Sequence, residues 1–280
     1  MACLFVEQLT VIDSSRLDPV EGLVGESWIV DVELSGALDA QGMVVDFGDV
    51  KRELKAAVDG SVDHRLLVPA GAADVQESAQ SVVVAYTSER GELRMSGPPA
   101  AVASLPGERA DAAAVRELLL QILTPLLPAN VTDLGLRLRQ ERIDGAWYAY
   151  SHGLQAHGGA CQRIAHGHRS RLEIHRNGHR CPEWESYWAD RWRNIYLGTR
   201  AHIVETRERD GTPYHRFAYT GREGAFSLEL PAAACELLET QSTVEHIASH
   251  LHGVMKRQDP EAHFSVRAFE GVGKGARASG

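Results

Sequence analysis

Residues 85–101, AYTSERGELRMSGPPAA, match residues 218–234, AYTGREGAFSLELPAAA, without a gap. Ala85, Tyr86, Thr87, Gly91, Pro98, Ala100 and Ala101 recur as Ala218, Tyr219, Thr220, Gly224, Pro231, Ala233 and Ala234. A repeat at long spacing limits the chain to architectures built from copies of one unit. Two shorter correspondences run in the same direction. GESWIVDVEL (25–34) falls over AHGHRSRLEI (165–174), and LGLRLRQERIDG (134–145) over FSVRAFEGVGKG (264–275). The expectation is two tandem α+β modules, 1–140 and 141–280.

Each module reads as two strands, a helix, a hairpin, a second helix and a final strand. Trp28, Val30, Val32 and Leu34 alternate with Ile29, Asp31, Glu33 and Ser35, the period-two signature of a strand with one buried face. Asp46 caps a helix with the apolar stripe Phe47, Val50, Leu54 and Val58. A helix near 111–124 is stopped by Pro125 and Pro128, and one starting at Thr243 buries Ile247, Leu251 and Met255. The glycine-rich tail GVGKGARASG reads as frayed.

The densest chemistry lies in residues 148–174, YAYSHGLQAHGGACQRIAHGHRSRLEI. His166 and His168 are two apart at the start of an alternating run, so on a strand both imidazoles share a face. With His152 from the preceding strand they make three neutral imidazoles, the ligand set of a catalytic zinc with an open fourth position. Cys161 would then stand beside the metal as acid, base or nucleophile. His157, His175 and His179 show no converging spacing and read as surface residues.

A formal charge of −9 argues against a general nucleic-acid binder. Eight arginines between Arg163 and Arg200 nonetheless leave open a local anion site or a solvated face. The 44% hydrophobic content fits a globular core, and no stretch approaches the ~20 apolar residues of a membrane span. Four cysteines without CxxC pairing do not make a disulfide scaffold. With no signal peptide legible at the N-terminus, the cytoplasm is the expected compartment.

YSHGL, Cys161 and HGH together resemble the 6-pyruvoyl-tetrahydropterin synthase family, which includes the bacterial 6-carboxytetrahydropterin synthases of queuosine biosynthesis. GMVVDFGDVKRELKAAVDGSVDHRLL, residues 42–67, is a second and independent match to its Gly-Met-Val-x-Asp-Phe helix and Leu-Asp-His motif. The resemblance implies a tunnelling fold (T-fold): modules with antiparallel sheets and helices on one face, which close into a barrel by oligomerisation. It implies a carbon–oxygen lyase acting on 7,8-dihydroneopterin triphosphate, with Zn2+ on His152, His166 and His168. It further implies catalytic roles for Cys161, Asp63 and His64, and a pterin-binding role for Glu245. The expected partners are this small molecule and further copies of the chain, with no nucleic acid and no membrane.

The halves diverge from the family in complementary ways. In the first, Ser15, Glu26 and Trp28 align with the zinc histidines, and Ala112 or Ala113 with Glu245. In the second, RAHIVE stands where the first has Asp63 and His64, with Ala201 for the aspartate and His202 for the histidine. One complete set per chain results if the site forms between modules. The Cys161-to-HGH spacing differs from the CxxxHGH of carboxytetrahydropterin synthases, and CPEWESYWADRWRNIYLG replaces the Asp-Phe-Gly helix. There Trp184, Trp188, Trp192 and Tyr196 form an i, i+4 stripe that reads as core or subunit interface. Competing readings are aldolase-like cleavage of the dihydroneopterin side chain and a non-catalytic pterin-binding or scaffolding paralogue.

Overall fold

The computed structural model describes residues 1–280 and is a mixed α+β structure. Its first half runs β1 (Ala2–Asp18), β2 (Gly22–Gly36), α1 (Phe47–Ser61), β3 (Leu66–Pro69), β4 (Asp74–Glu77), β5 (Val82–Ser88), β6 (Gly91–Gly97), β7 (Val102–Leu105), α2 (Ala112–Leu123) and β8 (Val131–Arg139). The second runs β9 (Trp147–His152), β10 (His166–Arg176), β11 (His179–Arg180), α3 (Pro182–Arg191), β12 (Arg193–Thr199), β13 (Ile203–Arg209), β14 (Thr212–Thr220), β15 (Ala225–Pro231), β16 (Cys235–Leu238), α4 (Val244–Gln258), β17 (Phe264–Phe269) and β18 (Gly275–Ser279). No helix is long and apolar enough to cross a membrane.

Two sheets carry the helices. One is ordered β7-β3-β1-β2-β8, the other β16-β12-β9-β10-β17-β18 with β11 beside β10. The third sheet, β13-β14-β15-β6-β5-β4, is shared: β15 of the second half pairs with β6 of the first through Leu228 and Met95. Each helical layer has its own core. Val50, Leu54 and Val58 of α1 pack with Val115 and Leu119 of α2 over β1 and β2, while Ile247, Leu251 and Met255 of α4 pack with Trp188 and Phe264. A third cluster joins the halves, with Leu17 and Tyr86 in contact with Ile164, Phe217 and Phe226.

Helix starts fall where the capping chemistry places them. The Asp46 carboxylate accepts from the backbone N–H groups of Gly48 and Asp49, and Asp111 does the same for Ala113 and Ala114. Three expectations are corrected. Phe47 is exposed, and the buried stripe of α1 begins one turn later at Val50. Tyr196 is not helical: α3 ends at Arg191 and Tyr196 lies in β12, where it is buried in the cluster that joins the halves, while Trp188 and Trp192 are buried in the core under α4. The tail is ordered, with β18 paired to β17 from Ser265–Ser279 to Phe269–Gly275.

In β2 both faces are buried from Gly22 to Val30, which the alternation alone did not suggest. The second half covers the other face. The pair Ser15–Gly25 of β1 and β2 sits on the pair Ser151–Gly167 of β9 and β10, with the two serine Oγ atoms 2.7 Å apart. A Cβ on Gly25 would come within 2.1 Å of the Tyr150 carbonyl, and one on Gly167 within 2.8 Å of Gly25 Cα. The middle residue of HGH is therefore the point where the two halves touch backbone to backbone.

Candidate active site

His152 at the end of β9 is the direct partner of His166 at the start of β10, and Tyr150 is the partner of His168. All three histidines are buried, and their ligand nitrogens lie within 4.8 Å of one another. Each Nδ1 is spoken for. That of His152 faces the Ser242 carbonyl at 3.0 Å, and that of His166 the Arg163 carbonyl at 2.9 Å. His168 Nδ1 faces Asp13 Oδ1 at 3.3 Å, outside hydrogen-bond geometry. The Nε2 atoms are left for a common point. Those of His152 and His168 are 3.2 Å apart, and that of His166 is buried without a partner.

This set fits zinc. Bonds of ~2.0–2.1 Å in a tetrahedron put ligand nitrogens about 3.3 Å apart, close to the His152–His168 separation. Burial, and then the neighbouring imidazoles, hold His152 and His166 well below the usual histidine range. They are thereby kept neutral, the form that ligates a metal. Backbone carbonyls and a carboxylate behind the ring nitrogens are the usual outer shell of a histidine metal site.

The Asp-His pair of the first half faces this cluster across the contact between the halves, within one chain. His64 lies between α1 and β3, with a left-handed φ of 52°, and its ring centroid is 5.0 Å from that of His166. Asp63 Oδ2 is 2.7 Å from His64 Nδ1. Cys161, on a single 3-10 turn at Ala160–Gln162, groups with His64 and His166, their ligand atoms within 4.8 Å of one another. Burial alone would lower the His64 pKa, but the Asp63 carboxylate and Cys161 push it up to about 10.

Glu245 is exposed in the first turn of α4 and makes no hydrogen bond or ion pair. Besides Asp13, the acid that approaches the histidines is Glu270, with Oε1 3.9 Å from His168 Nε2. Arg163 is paired with Glu223 at 2.8 Å, and Arg169 stacks on Trp147, so neither guanidinium is free at the cluster. His202, on the turn before β13, bonds instead to Gln155 at 2.9 Å. His175 and His179 lie on the β10–β11 hairpin, opposite Arg180 and Arg176, and belong to no metal-competent cluster.

Strand register corrects which residues correspond between the halves. Leu138 of β8 faces Val30 and Ala268 of β17 faces Leu172, so Val24 and Glu26 take the places of His166 and His168. Ser15 corresponds to Ser151, so Arg16 takes that of His152. The sequence alignment slipped here because β1 and β2 are joined by three residues, while β9 and β10 are separated by residues 153–165. The same ladders put Leu66 opposite Ser15 and Tyr196 opposite Ser151, so Asp63 and His64 correspond to Arg193 and Asn194 rather than to Ala201 and His202. Asn194 shares the left-handed backbone of His64, with φ 55°. No second histidine cluster exists in the first half, and its Glu26 carboxylate is held by Gln140 at 2.9 Å.

Residues 14–99 match the family model described as 6-pyruvoyl tetrahydropterin synthase. The match spans Asp63 and His64 and ends before the three histidines and Cys161. Among solved structures the chain is similar to the 6-pyruvoyl tetrahydropterin synthase of Plasmodium vivax, at 19% identity and a TM-score of 0.36, over 49% of this chain and 97% of that one. The enzyme of Plasmodium falciparum gives 15% identity and a TM-score of 0.38 over the same shares. No curated protein matches the chain. Over residues 14–99, then, the chain is similar to the 6-pyruvoyl tetrahydropterin synthase family.

Proposed function

We propose that this protein is a zinc-dependent pterin-pathway lyase acting on 7,8-dihydroneopterin triphosphate, with one site per chain assembled from two tandem modules, 1–140 and 141–280. The observation that carries the reading is the meeting of Asp63 and His64 from the first half with Cys161 and three histidines from the second. The two helix-bearing sheets share one strand order, and this supports the module reading.

His152, His166 and His168 would hold the metal. When bound, zinc supplies a Lewis acid that polarises the hydroxyl oxygens of the substrate side chain. Cys161 exchanges a proton with a side-chain carbon of the substrate. His64 is placed beside Cys161 to take its proton and leave a thiolate, and the Asp63 carboxylate behind the ring favours the imidazolium that results. Asp63 accepts the other ring N–H and stabilises the imidazolium, the role of a carboxylate behind a catalytic histidine. Glu245 is the pterin-holding residue in this reading, offered from the start of α4 beside Ser242.

Incubation with 7,8-dihydroneopterin triphosphate, followed by mass spectrometry, tests the activity. Loss of triphosphate with a carboxy- or pyruvoyl-tetrahydropterin product is expected. Release of a two-carbon aldehyde that still carries the triphosphate would indicate aldolase chemistry instead, and unchanged substrate would indicate a binding protein. His64→Ala should cut turnover by roughly 10²–10⁴-fold, the range of a lost general base, with zinc content unchanged.

The assembly in this reading is a homo-oligomer. Edge strands β8 and β18 are unpaired on their outer sides within the chain, and exposed edges favour closure by further copies. Sedimentation at micromolar concentration should therefore report an oligomer, and a monomer would refute the barrel.

A further inference from the structure

Asp13 of β1 touches both parts of the candidate site through different atoms. Its backbone N–H donates to Asp63 Oδ1 at 2.8 Å, and its carbonyl accepts from the His64 N–H at 2.9 Å. Its carboxylate points the other way. Oδ1 accepts from the Ser27 hydroxyl at 2.5 Å and lies 3.3 Å from His168 Nδ1, while Oδ2 is 3.2 Å from Lys274 Nζ. The side chain is almost wholly buried. A Cβ on Gly271 would come within 2.4 Å of Oδ1, so the turn between β17 and β18 closes directly over the carboxylate.

We propose that Asp13 is a positioning residue that ties the two halves of the site together, its carboxylate orienting His168 and its peptide group orienting Asp63 and His64, with Lys274 holding the carboxylate in place. The inference rests on the reading of His152, His166 and His168 as metal ligands. His152 and His166 are each oriented by a carbonyl from their own half, Ser242 and Arg163. The Nδ1 of His168 faces a group from the other half.

The tautomer explains why a carboxylate is needed. A neutral imidazole has one N–H, and a metal takes the nitrogen that lacks it. An acceptor-only group at Nδ1 draws the proton there and frees Nε2, which faces His152 Nε2. An asparagine could satisfy Lys274 with its oxygen only by turning its NH₂ toward Ser27 and His168. The proton would then move to Nε2, where it blocks ligation. Any substitution at this position keeps the backbone contacts to Asp63 and His64, so side-chain variants test the carboxylate alone.

The test is zinc affinity by chelator competition, with the absorption spectrum of the cobalt(II)-loaded chain, for wild type, Asp13→Asn and Lys274→Met. Circular dichroism at the assay temperature establishes that each variant is folded. Asp13→Asn should weaken zinc about 10- to 100-fold, the effect of removing an outer-shell partner, and change the cobalt spectrum. Lys274→Met should produce a smaller loss in the same direction. A purely structural role would lower the melting temperature and leave both readouts unmoved. Folded Asp13→Asn with wild-type affinity and spectrum overturns the inference. If Asp13→Asn does not fold, the Lys274→Met comparison decides, and unchanged affinity there overturns it. Failure of the wild-type chain to bind zinc overturns the metal reading itself, and this inference with it.

Discussion

His166→Ala is expected to reduce zinc from roughly one ion per chain to none retained through gel filtration, and to abolish turnover. A catalytic zinc site has three protein ligands, and the loss of one leaves two. The His166 ring is anchored by the Arg163 carbonyl, and its Nε2 is buried without a hydrogen-bond partner. A buried polar atom without a partner costs about 1–3 kcal/mol, and a metal on that atom offsets the penalty. His64→Ala, one ring away, should retain the metal. Metal analysis of the two variants side by side separates a ligand from a proton carrier.

The second large effect falls on the fold. Gly25→Ala should destabilise the chain by about 1–3 kcal/mol or more, the usual scale of overpacking. Its new methyl would lie 2.1 Å from the Tyr150 carbonyl and 2.8 Å from that of His168. Both obstacles are backbone, so relief requires β2 to move away from β9 and β10, which loosens the contact between the halves that brings Asp63 and His64 to the histidines. Gly60→Ala in α1 is the control, because nothing lies within 4 Å of its Cβ position. There a gain of about 0.5–1 kcal/mol is expected from helix propensity. Thermal melts of both variants read the difference, and Gly25→Ala melting with wild type would contradict the close crossing.

The histidine cluster was legible because its signal is local. Two residues apart on a strand is the same face, and the ladder that pairs His152 with His166 needs only the adjacent strand. Asp63 and His64 were legible only by resemblance, since no local pattern says that a turn after α1 will face a strand a hundred residues later. Asp13 was not legible at all. Its partners, His168 and Lys274, come from the other half, and the crossing that brings them together is set by Ser15, Gly25, Ser151 and Gly167. Lys274 was hidden by composition. A glycine-rich tail reads as disordered, but Gly271 and Gly273 have φ of 66° and 71° and use that freedom to turn the chain back between β17 and β18. Glu245 was likewise legible only by resemblance; it is exposed in the first turn of α4, and no local pattern pointed to Glu270, which approaches His168.

An anomalous-difference map from crystals of the zinc-loaded protein tests the central claim most directly. The account predicts one peak per chain, bounded by the Nε2 atoms of His152, His166 and His168, with Cys161 and His64 of the same chain within hydrogen-bonding reach of each other beside it. A peak held instead by His175, His179 and Cys181, or His64 standing more than ~15 Å from every zinc, beyond any direct proton transfer, would contradict it.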